Sequence, residues 1–181
     1  MSSSTSNPLA LSPEAALDRI AGRERAVLMC GISGSGKTVF ARRLEERGYV
    51  RLSADGLARA RYGDELDTAA PERLREIFAL TADELMRLAA EALEHGLRVV
   101  VDATMCKRAR RDAARRVCAA LGVMPLTVWM RAPQEVLLQR LSGRRGSGPD
   151  DCIVTPDMLR RFCAGFEAPA PDERYVVIDQ E

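Results

Sequence analysis

Apolar and polar residues alternate along the chain with two different periods. Runs of four or five residues that are mostly apolar are typical of strands in a parallel sheet. Longer stretches with apolar residues three or four positions apart are typical of amphipathic helices. The predicted strands are Ala26–Cys30, Tyr49–Leu52, Leu97–Val101, Leu126–Met130 and Tyr175–Asp179. The predicted helices are Pro13–Ala21, Lys37–Arg47, Pro71–His95, Lys107–Leu121, Pro133–Leu141 and Pro156–Phe166.

This alternation of strands and helices predicts an α/β fold, with one parallel sheet and helices on both of its faces. A chain of 181 residues suits a single domain. We expect residues 1–10 to form a disordered tail, because Met1–Pro8 is rich in serine and uncharged. Residues 11–181 are expected to form the domain.

The composition is that of an ordinary globular protein, with 46% hydrophobic residues, 29% charged residues and a formal charge of +1. A nearly neutral charge argues against a protein that coats a polyanion. No apolar run approaches the roughly 20 residues of a membrane-spanning helix. Five scattered cysteines and one histidine disfavour a zinc site and predict free thiols in a reducing compartment. We therefore expect a cytoplasmic monomer or homodimer with no membrane partner.

The most specific motif is a complete G-x-x-x-x-G-K-[ST] sequence between the first predicted strand and the next helix. Its residues are Gly31, Ile32, Ser33, Gly34, Ser35, Gly36, Lys37 and Thr38. Such a loop directs several backbone N–H groups at a triphosphate, at the N-terminus of a helix. Lys37 is expected to reach the β- and γ-phosphates, and the Thr38 hydroxyl to hold Mg²⁺. ATP and Mg²⁺ are therefore the predicted cofactors.

Ligands of open α/β sheets bind beyond the carboxyl ends of the strands, so the residues that follow each strand are candidates for the site. Asp55 follows the second predicted strand, where it is expected to accept the proton of an attacking hydroxyl. The alternative is that Asp55 caps the next helical turn. Asp102 follows the third strand, where it would bind Mg²⁺ through water or orient Thr104, with a structural cap as the alternative. Arg131 follows the fourth strand.

Arginines are expected to close over the transferred phosphate from a lid at about residues 140–154. Arg140 and Arg144 are four positions apart on one helical face, Arg145 is adjacent, and Gly143–Pro149 would supply hinges. A solvated arginine surface is the alternative. A second basic group lies on one helix and would either guide a phosphorylated or nucleic-acid substrate or face solvent. Its members are Lys107, Arg108, Arg110, Arg111, Arg115 and Arg116, beside a predicted apolar stripe of Ala109, Ala113, Val117 and Ala120.

Several classes of nucleotide-binding protein are disfavoured by missing residues. The only asparagine is Asn7, so the N-K-x-D motif that reads guanine is absent. Asp102 is followed by Ala103 rather than by an acid that would activate water for ATP hydrolysis. The single histidine, His95, lies at a predicted helix C-terminus, where it suits a capping role. A carboxylate base acting on a substrate hydroxyl is the chemistry that remains.

The motifs together resemble the small P-loop kinases grouped with zeta-toxin-like and polynucleotide-kinase-like proteins. The matching segments are GISGSGKT, RLSADGLARARYG, VVVDAT, VWMRAP, RLSGRR and GFEAP, in that order between Arg25 and Pro169. The resemblance implies a P-loop NTPase fold with a five-stranded parallel sheet in the order 2-3-1-4-5. It also implies a base at Asp55 and a lid carrying Arg140 and Arg144. Family members often carry an arginine three residues beyond the base, where this chain has Ala58 followed by Arg59.

The function predicted from sequence is an ATP-dependent kinase that phosphorylates a hydroxyl of a small molecule. A 5′-hydroxyl polynucleotide kinase is the alternative within the same class. A nucleotide-binding regulatory protein without turnover is the alternative from another class. The predicted catalytic residues are Lys37, Asp55, Arg140 and Arg144, the last two also contacting ATP. The predicted substrate contacts are Asp55, Arg59, Asp102, Thr104 and Arg131.

Overall fold

The computed structural model describes residues 10–142 and 154–180, which form one parallel sheet surrounded by helices. The strands are β1 (Ala10–Leu11), β2 (Ala26–Cys30), β3 (Tyr49–Ser53), β4 (Arg98–Asp102), β5 (Leu126–Arg131) and β6 (Tyr175–Asp179). The helices are α1 (Pro13–Ile20), α2 (Lys37–Glu45), α3 (Ala54–Tyr62), α4 (Glu65–Thr68), α5 (Pro71–Glu94), α6 (Arg108–Ala120), α7 (Gln134–Ser142) and α8 (Pro156–Ala164). Among these, no helix combines the length and the apolar composition that crossing a bilayer would require.

The strand order is β1-β6-β5-β2-β4-β3, and every neighbouring pair is parallel. The five predicted strands therefore have the order 2-3-1-4-5 that the resemblance implied. The sheet has six strands rather than five, because Ala10–Leu11 adds a short edge strand beside Val177 and Ile178. Two residues next to a serine-rich segment carry no alternation, so this strand could not be read from the pattern. Its first residue, Ala10, belongs to the segment predicted as a tail, whose residues 1–9 lie outside the described part.

Alternate strand residues pack against helices on opposite faces of the sheet. On one face, Val27 and Met29 of β2 join a buried cluster with α1 and α2. On the other face, Leu28 and Cys30 join a cluster with α5 and α6. Both faces are covered, which explains why β2 is wholly apolar and why all five of its residues are buried. All strands are parallel, so their carboxyl ends meet at one edge of the sheet.

Helices α3 and α4 were not predicted from the sequence. Helix α3 begins directly after β3, where the Ser53 hydroxyl accepts a hydrogen bond of 3.1 Å from the backbone N–H of Gly56. Its only fully buried residue is Ala58, because most of the helix is half-exposed beside α5. One buried alanine gives too weak an apolar period to be recognised. The N-cap at this position is Ser53, so the alternative that Asp55 caps the helix is wrong.

The predicted apolar stripe of α6 is also wrong. The residues that α6 buries are Arg111, Ala114 and Cys118, whereas Ala109 and Ala120 are exposed. The apolar pattern predicted the wrong face of α6 because the largest side chain on the buried face is an arginine, and charged residues are rarely buried without a partner. Arg111 is fully buried. It is therefore not part of a solvated basic face.

Arg111 is buried because all of its donors are used. It forms a bidentate pair with Glu173, through Nε at 2.6 Å and Nη2 at 2.9 Å. Its Nη1 donates to the carbonyls of Met105 at 2.9 Å and Glu167 at 2.8 Å, and its Nη2 donates to that of Ala168 at 3.3 Å. The pair thus joins α6 to the loop after β4 and to the segment that precedes β6. Burial raises the pKa of Glu173, but the hydrogen bonds from Arg111 and from the Ala170 N–H outweigh it, so the pKa lies below its ordinary value.

We predict that Arg111→Met lowers the free energy of unfolding by about 3 kcal/mol, because it removes the bidentate partner of the buried Glu173 carboxylate and leaves it only the longer contact with Arg115 at 3.6 Å and the Ala170 N–H. Urea unfolding at pH 7 measures this. The control is Arg108→Met, which breaks the exposed pairs with Asp172 and Asp112 and should cost much less, because solvent screens exposed charges. Equal losses in the two variants would contradict the prediction.

The pKa of Glu173 is lowered on folding. The stability that its ionised carboxylate contributes is therefore present above its ordinary pKa of 4.5 and is lost as the pH falls below that value.

Candidate active site

The segment Gly31–Thr38 forms a tight loop between β2 and α2 that only glycine allows at several positions. Gly34 and Gly36 have φ angles of 88° and 90°, and Gly31 has φ of 146°. A Cβ atom on Gly31 would lie 2.6 Å from the Met130 carbonyl oxygen and 2.7 Å from Ser35 Oγ. The loop therefore passes directly against the end of β5, and the motif glycines are needed for backbone conformation and for space.

Two observations test whether this loop fits a phosphate group. The Ser35 hydroxyl is buried and has no hydrogen-bond partner among the described residues. The Lys37 ammonium group folds back and donates to the Ile32 carbonyl at 2.9 Å. A buried orphan hydroxyl is uncommon in a folded protein, and a buried ammonium needs anionic partners. Both fit a loop shaped to surround an anion.

Lys37 is buried, and two carboxylates lie near enough to influence its charge. Burial lowers its pKa, and the nearby Cys106, Asp102 and Asp55 oppose this lowering. The predicted base Asp55 and the predicted metal-binding Asp102 are thus at the same edge of the sheet, near enough to Lys37 to act on its charge. A triphosphate placed in the loop would add further negative charge beside Lys37 and would favour its protonated form.

Asp102 is the last residue of β4, and its carboxylate is held on both sides. Its Oδ2 accepts two hydrogen bonds from Arg51, from Nε at 2.9 Å and from Nη2 at 2.7 Å. Its Oδ1 faces the Thr38 hydroxyl at 3.4 Å. Asp102 does not cap α6, whose N-terminus is bonded by Glu167, which accepts from the Arg108 N–H at 2.7 Å. The Thr38 and Asp102 oxygens are of the type that Mg²⁺ prefers.

Asp55 lies in the first turn of α3, and the register of the sheet determines its place. Ser53 is directly opposite Asp102 in the pairing of β3 with β4. Asp55, two residues further on, is half-buried at the same edge of the sheet as the loop. This location is the one expected for a group that meets a substrate hydroxyl near the γ-phosphate.

Arg140 is in the last turn of α7, beside the glycine-rich loop. Its Nη1 lies 3.3 Å from the Gly34 carbonyl and 3.5 Å from Gln180 Oε1. These groups border an open cleft of about 370 Å³ next to the loop. The cleft is also lined by Pro13, Glu14, Gly36, Val39, Phe40, Arg43 and Met130. A cleft of this size beside a phosphate-binding loop has room for a nucleoside.

The remaining predicted site residues are less closely grouped. Arg59 forms a bidentate pair with Asp67, at 2.8 and 2.9 Å, that connects α3 to α4. Arg131 pairs with Asp179 at 2.6 Å and lies over the ring of Trp129. Thr104 is exposed on the loop after β4. Arg144, Arg145 and residues 143–153 of the predicted lid lie outside the described residues.

The chain matches a known protein family over a segment that includes the loop Gly31–Thr38, Asp55 and Asp102. A model of the AAA domain family matches residues 27–169. The chain belongs to the AAA domain family. The match runs from β2 to the segment beyond α8. The elements β1, α1 and β6 and the cleft residue Gln180 lie outside it, so one wall of the cleft is formed by parts of this AAA domain protein that the family model does not include.

Solved structures with the same fold include several kinases. This AAA domain protein is similar to a sugar kinase from Janibacter sp. HTCC2649, with a TM-score of 0.66 and 24% identity over 86% of this chain and 85% of that chain. It is similar to a gluconokinase from Sinorhizobium meliloti 1021, with a TM-score of 0.58 and 22% identity over 87% and 84%. A chain of the Pnkp1/Rnl/Hen1 RNA repair complex gives a TM-score of 0.61 and 18% identity over 78% and 43%. The search of curated proteins found no match.

These comparisons confirm the fold that the motifs predicted, a small P-loop kinase fold.

Three residues at the site were not found from the sequence. Arg51 was overlooked because it is in the middle of a strand, yet a charged residue in a half-buried strand always needs a partner and could have been noticed. Gln180 follows the last strand and carried no motif.

Cys106 is the third residue that the sequence did not indicate. Its thiol lies 3.4 Å from the Gly31 carbonyl, and the Cys30 thiol donates to the Met105 carbonyl at 3.2 Å. Burial raises the pKa of Cys30 to about 12 and also raises that of Cys106, so both thiols stay protonated and act as hydrogen-bond donors. Cys30, Cys106, Cys118 and Cys163 are all free, as predicted, whereas Cys152 lies outside the described residues.

We predict that Gly31→Ala weakens nucleotide binding, because the added methyl group would collide with the Met130 carbonyl and force the loop away from β5. Affinity for a non-hydrolysable ATP analogue, measured by isothermal titration calorimetry, should fall by more than about 30-fold, which corresponds to roughly 2 kcal/mol of strain. The control is Gly48→Ala, which has φ of 86° but no atom within 4 Å of the new Cβ. It should lose some stability and no affinity. Equal affinities in both variants would argue against a rigid loop.

Proposed function

We propose that this protein is an ATP-dependent kinase that transfers the γ-phosphate of ATP to a hydroxyl of a small molecule. The observation that carries the proposal is the register of β3 with β4, which brings Asp55 to the same edge of the sheet as Asp102, Thr38 and the buried Lys37. A protein that only binds a nucleotide needs the loop and the metal-binding acid. The second acid, Asp55 in the first turn of α3, is the additional group that a phosphoryl transfer to a hydroxyl requires.

In the proposed reaction the loop Gly31–Thr38 holds the triphosphate through its backbone N–H groups, with Lys37 on the β- and γ-phosphates. The nucleoside occupies the cleft beside Arg140 and Gln180. Thr38, together with Asp102 through a water molecule, would hold Mg²⁺, which neutralises charge on the phosphates. Arg140 stabilises negative charge that develops during transfer, with Arg144 as the second predicted lid arginine.

Asp55 is proposed as the general base. The acceptor hydroxyl oxygen forms a bond to the γ-phosphorus as the bond to the β–γ bridging oxygen breaks, and the hydroxyl proton passes to the Asp55 carboxylate. Thr104 is exposed at the same edge and Arg131 is the last residue of β5, so they are proposed as acceptor contacts. Arg59 is proposed with them, and an incoming acceptor would have to compete with Asp67 for it.

A small acceptor is favoured over a nucleic acid by the charges on α6. Four members of its basic group are already neutralised or buried. Lys107 pairs with Glu167, Arg108 with Asp172, Arg115 with Asp112, and Arg111 with Glu173. A surface that binds nucleic acid relies on cations that are available to phosphates. Among the described residues of α6, Arg110 and Arg116 are the exposed arginines for which no ion pair is found.

A 5′-hydroxyl polynucleotide kinase is the second candidate. Arg110 and Arg116 could still contact a phosphate backbone, and a chain of an RNA repair complex shares the fold. A nucleotide-binding regulator without turnover is the candidate from another class, because the loop alone would serve it. The three candidates differ in what receives the label from ATP.

We predict that Asp55→Asn keeps ATP affinity and lowers the rate of phosphoryl transfer by about 10²-fold or more, as expected for a lost general base. The control is Asp64→Asn, an exposed acid nearby whose side chain makes no capping hydrogen bond, which should keep the full rate. Lys37→Ala should lose both binding and transfer. A near-normal rate in Asp55→Asn would remove Asp55 from the role of base.

We predict that label from γ-³²P ATP appears on a member of a pool of small hydroxyl compounds and not on a 5′-hydroxyl RNA oligonucleotide. Chromatography of the products separates the two acceptors. Replacing Arg110 and Arg116 with alanine should leave transfer to the small molecule unchanged. Label on RNA, reduced by those replacements, would support the polynucleotide kinase instead. Tight ATP binding without transfer to any acceptor would support the regulator.

A further inference from the structure

Arg51 is a charged residue in the middle of a strand whose other residues are mostly apolar. Strand β3 reads Tyr49-Val50-Arg51-Leu52-Ser53, and Leu52 packs into the core on the side of α5 and α6. Successive side chains of a strand point to opposite faces, so Arg51 lies on the same face as Tyr49, which packs with α1 and α2. The Arg51 side chain therefore runs between the sheet and the helix that begins at Lys37 and Thr38.

The Arg51 guanidinium group meets Asp102 in a nearly dry environment. The side chains of Arg51 and Asp102 are 11% and 4% exposed, and two N–H groups of Arg51 donate to the same oxygen, Oδ2. The other oxygen, Oδ1, faces Thr38. Asp102 thus contacts the positive charge of Arg51 through one oxygen and the Thr38 hydroxyl through the other. In the proposed function, that hydroxyl binds Mg²⁺. A guanidinium group and a divalent cation that share one carboxylate repel each other, and screening by solvent is weak at this depth.

We propose that Arg51 is a positioning residue that occupies Asp102 in the metal-free protein and sets how strongly the site takes up Mg²⁺. The inference rests on the proposed function, because it requires a metal–nucleotide complex at Thr38. Arg51 neutralises Asp102 before the metal arrives, which keeps a buried carboxylate stable. When Mg²⁺ is held there, Arg51 must share Asp102 with the metal's water, which weakens metal uptake.

The pair differs from the other buried arginine–carboxylate pair in a way that points to this role. Arg111 fixes two backbone segments through three carbonyl oxygens, and its carboxylate partner Glu173 is also bonded by the Ala170 N–H. The carboxylate partner of Arg51 instead ends a strand beside the phosphate-binding loop and contacts the Thr38 hydroxyl. A purely structural pair would have no effect on the metal requirement of nucleotide binding.

The test compares Arg51→Met, which removes the charge and keeps the aliphatic stem, with Arg51→Lys, which keeps the charge. The matched control is Arg174→Met, which breaks a bidentate pair with Glu24 at the opposite, amino-terminal edge of the sheet. For each protein, the affinity for AMPPNP is measured calorimetrically across a series of Mg²⁺ concentrations. Melting temperature is measured in EDTA and with Mg²⁺ and AMPPNP.

Adding Mg²⁺ is expected to increase the affinity for AMPPNP. In Arg51→Met, half of this increase should be reached at a Mg²⁺ concentration about tenfold lower than in the wild type, within the usual range for coupled ligands. Its melting temperature should fall in EDTA and be restored more by Mg²⁺ and AMPPNP than that of the wild type. Arg51→Lys should stay close to the wild type in its Mg²⁺ requirement, and so should Arg174→Met. If Arg51→Met folds poorly, the Arg51→Lys series remains decisive, because a tenfold fall there would show that the charge is not the cause.

An unchanged or increased Mg²⁺ requirement in Arg51→Met would overturn the proposal and leave the kinase function intact. Wild-type protein that fails to bind AMPPNP at any Mg²⁺ concentration would overturn the proposed function and this proposal with it. The two failures are therefore distinguishable in one set of measurements, and neither depends on knowing the acceptor.

Discussion

The pairing of β3 with β4 is the constraint on which the candidate site depends. It places Ser53 opposite Asp102, and so brings the start of α3 to the same edge as the end of β4. The pairing of β4 with β2 then brings both acids to the loop that follows Cys30. A shift of β4 by one residue against its neighbours would turn its side chains to the other face of the sheet. Asp102 would then face α5 and α6 instead of Thr38.

Charge balance at this edge follows from that geometry. Lys37 and Arg51 bring two positive charges to Asp102 and Asp55, in a region where solvent screens them little. Neither pair of like charges would be stable there alone. The site residues are thus stabilised by contacts with one another, such as Lys37 to the Ile32 carbonyl and Arg51 to Asp102. In the proposed function, a nucleotide with its metal would replace or share these contacts.

The sequence predicted most of the fold and the glycine-rich loop of the candidate site, for physical reasons that can be named. Strands buried on both faces are wholly apolar, so β2 could be predicted from its composition. The loop needs glycines at fixed positions for its positive φ angles, so Gly31–Thr38 could be predicted from its motif. Helix α3 and the buried face of α6 were missed because their packing uses Ala58 and Arg111, which carry no apolar period. The Arg51–Asp102 contact joins residues 51 positions apart, and only the strand register brings them together.

The two buried arginines also explain why a count of basic residues misleads in this chain. Arg111 and Arg51 both lie inside the protein, and each is matched to one carboxylate. Their effects should nevertheless differ in kind. The contacts of Arg111 join only elements of the protein, so its loss should appear as lost stability. In the proposed function, the partner of Arg51 is a group that the metal–nucleotide complex also needs, so its loss should appear as a changed balance between protein stability and metal uptake. An arginine's function here is therefore set by what else competes for its carboxylate.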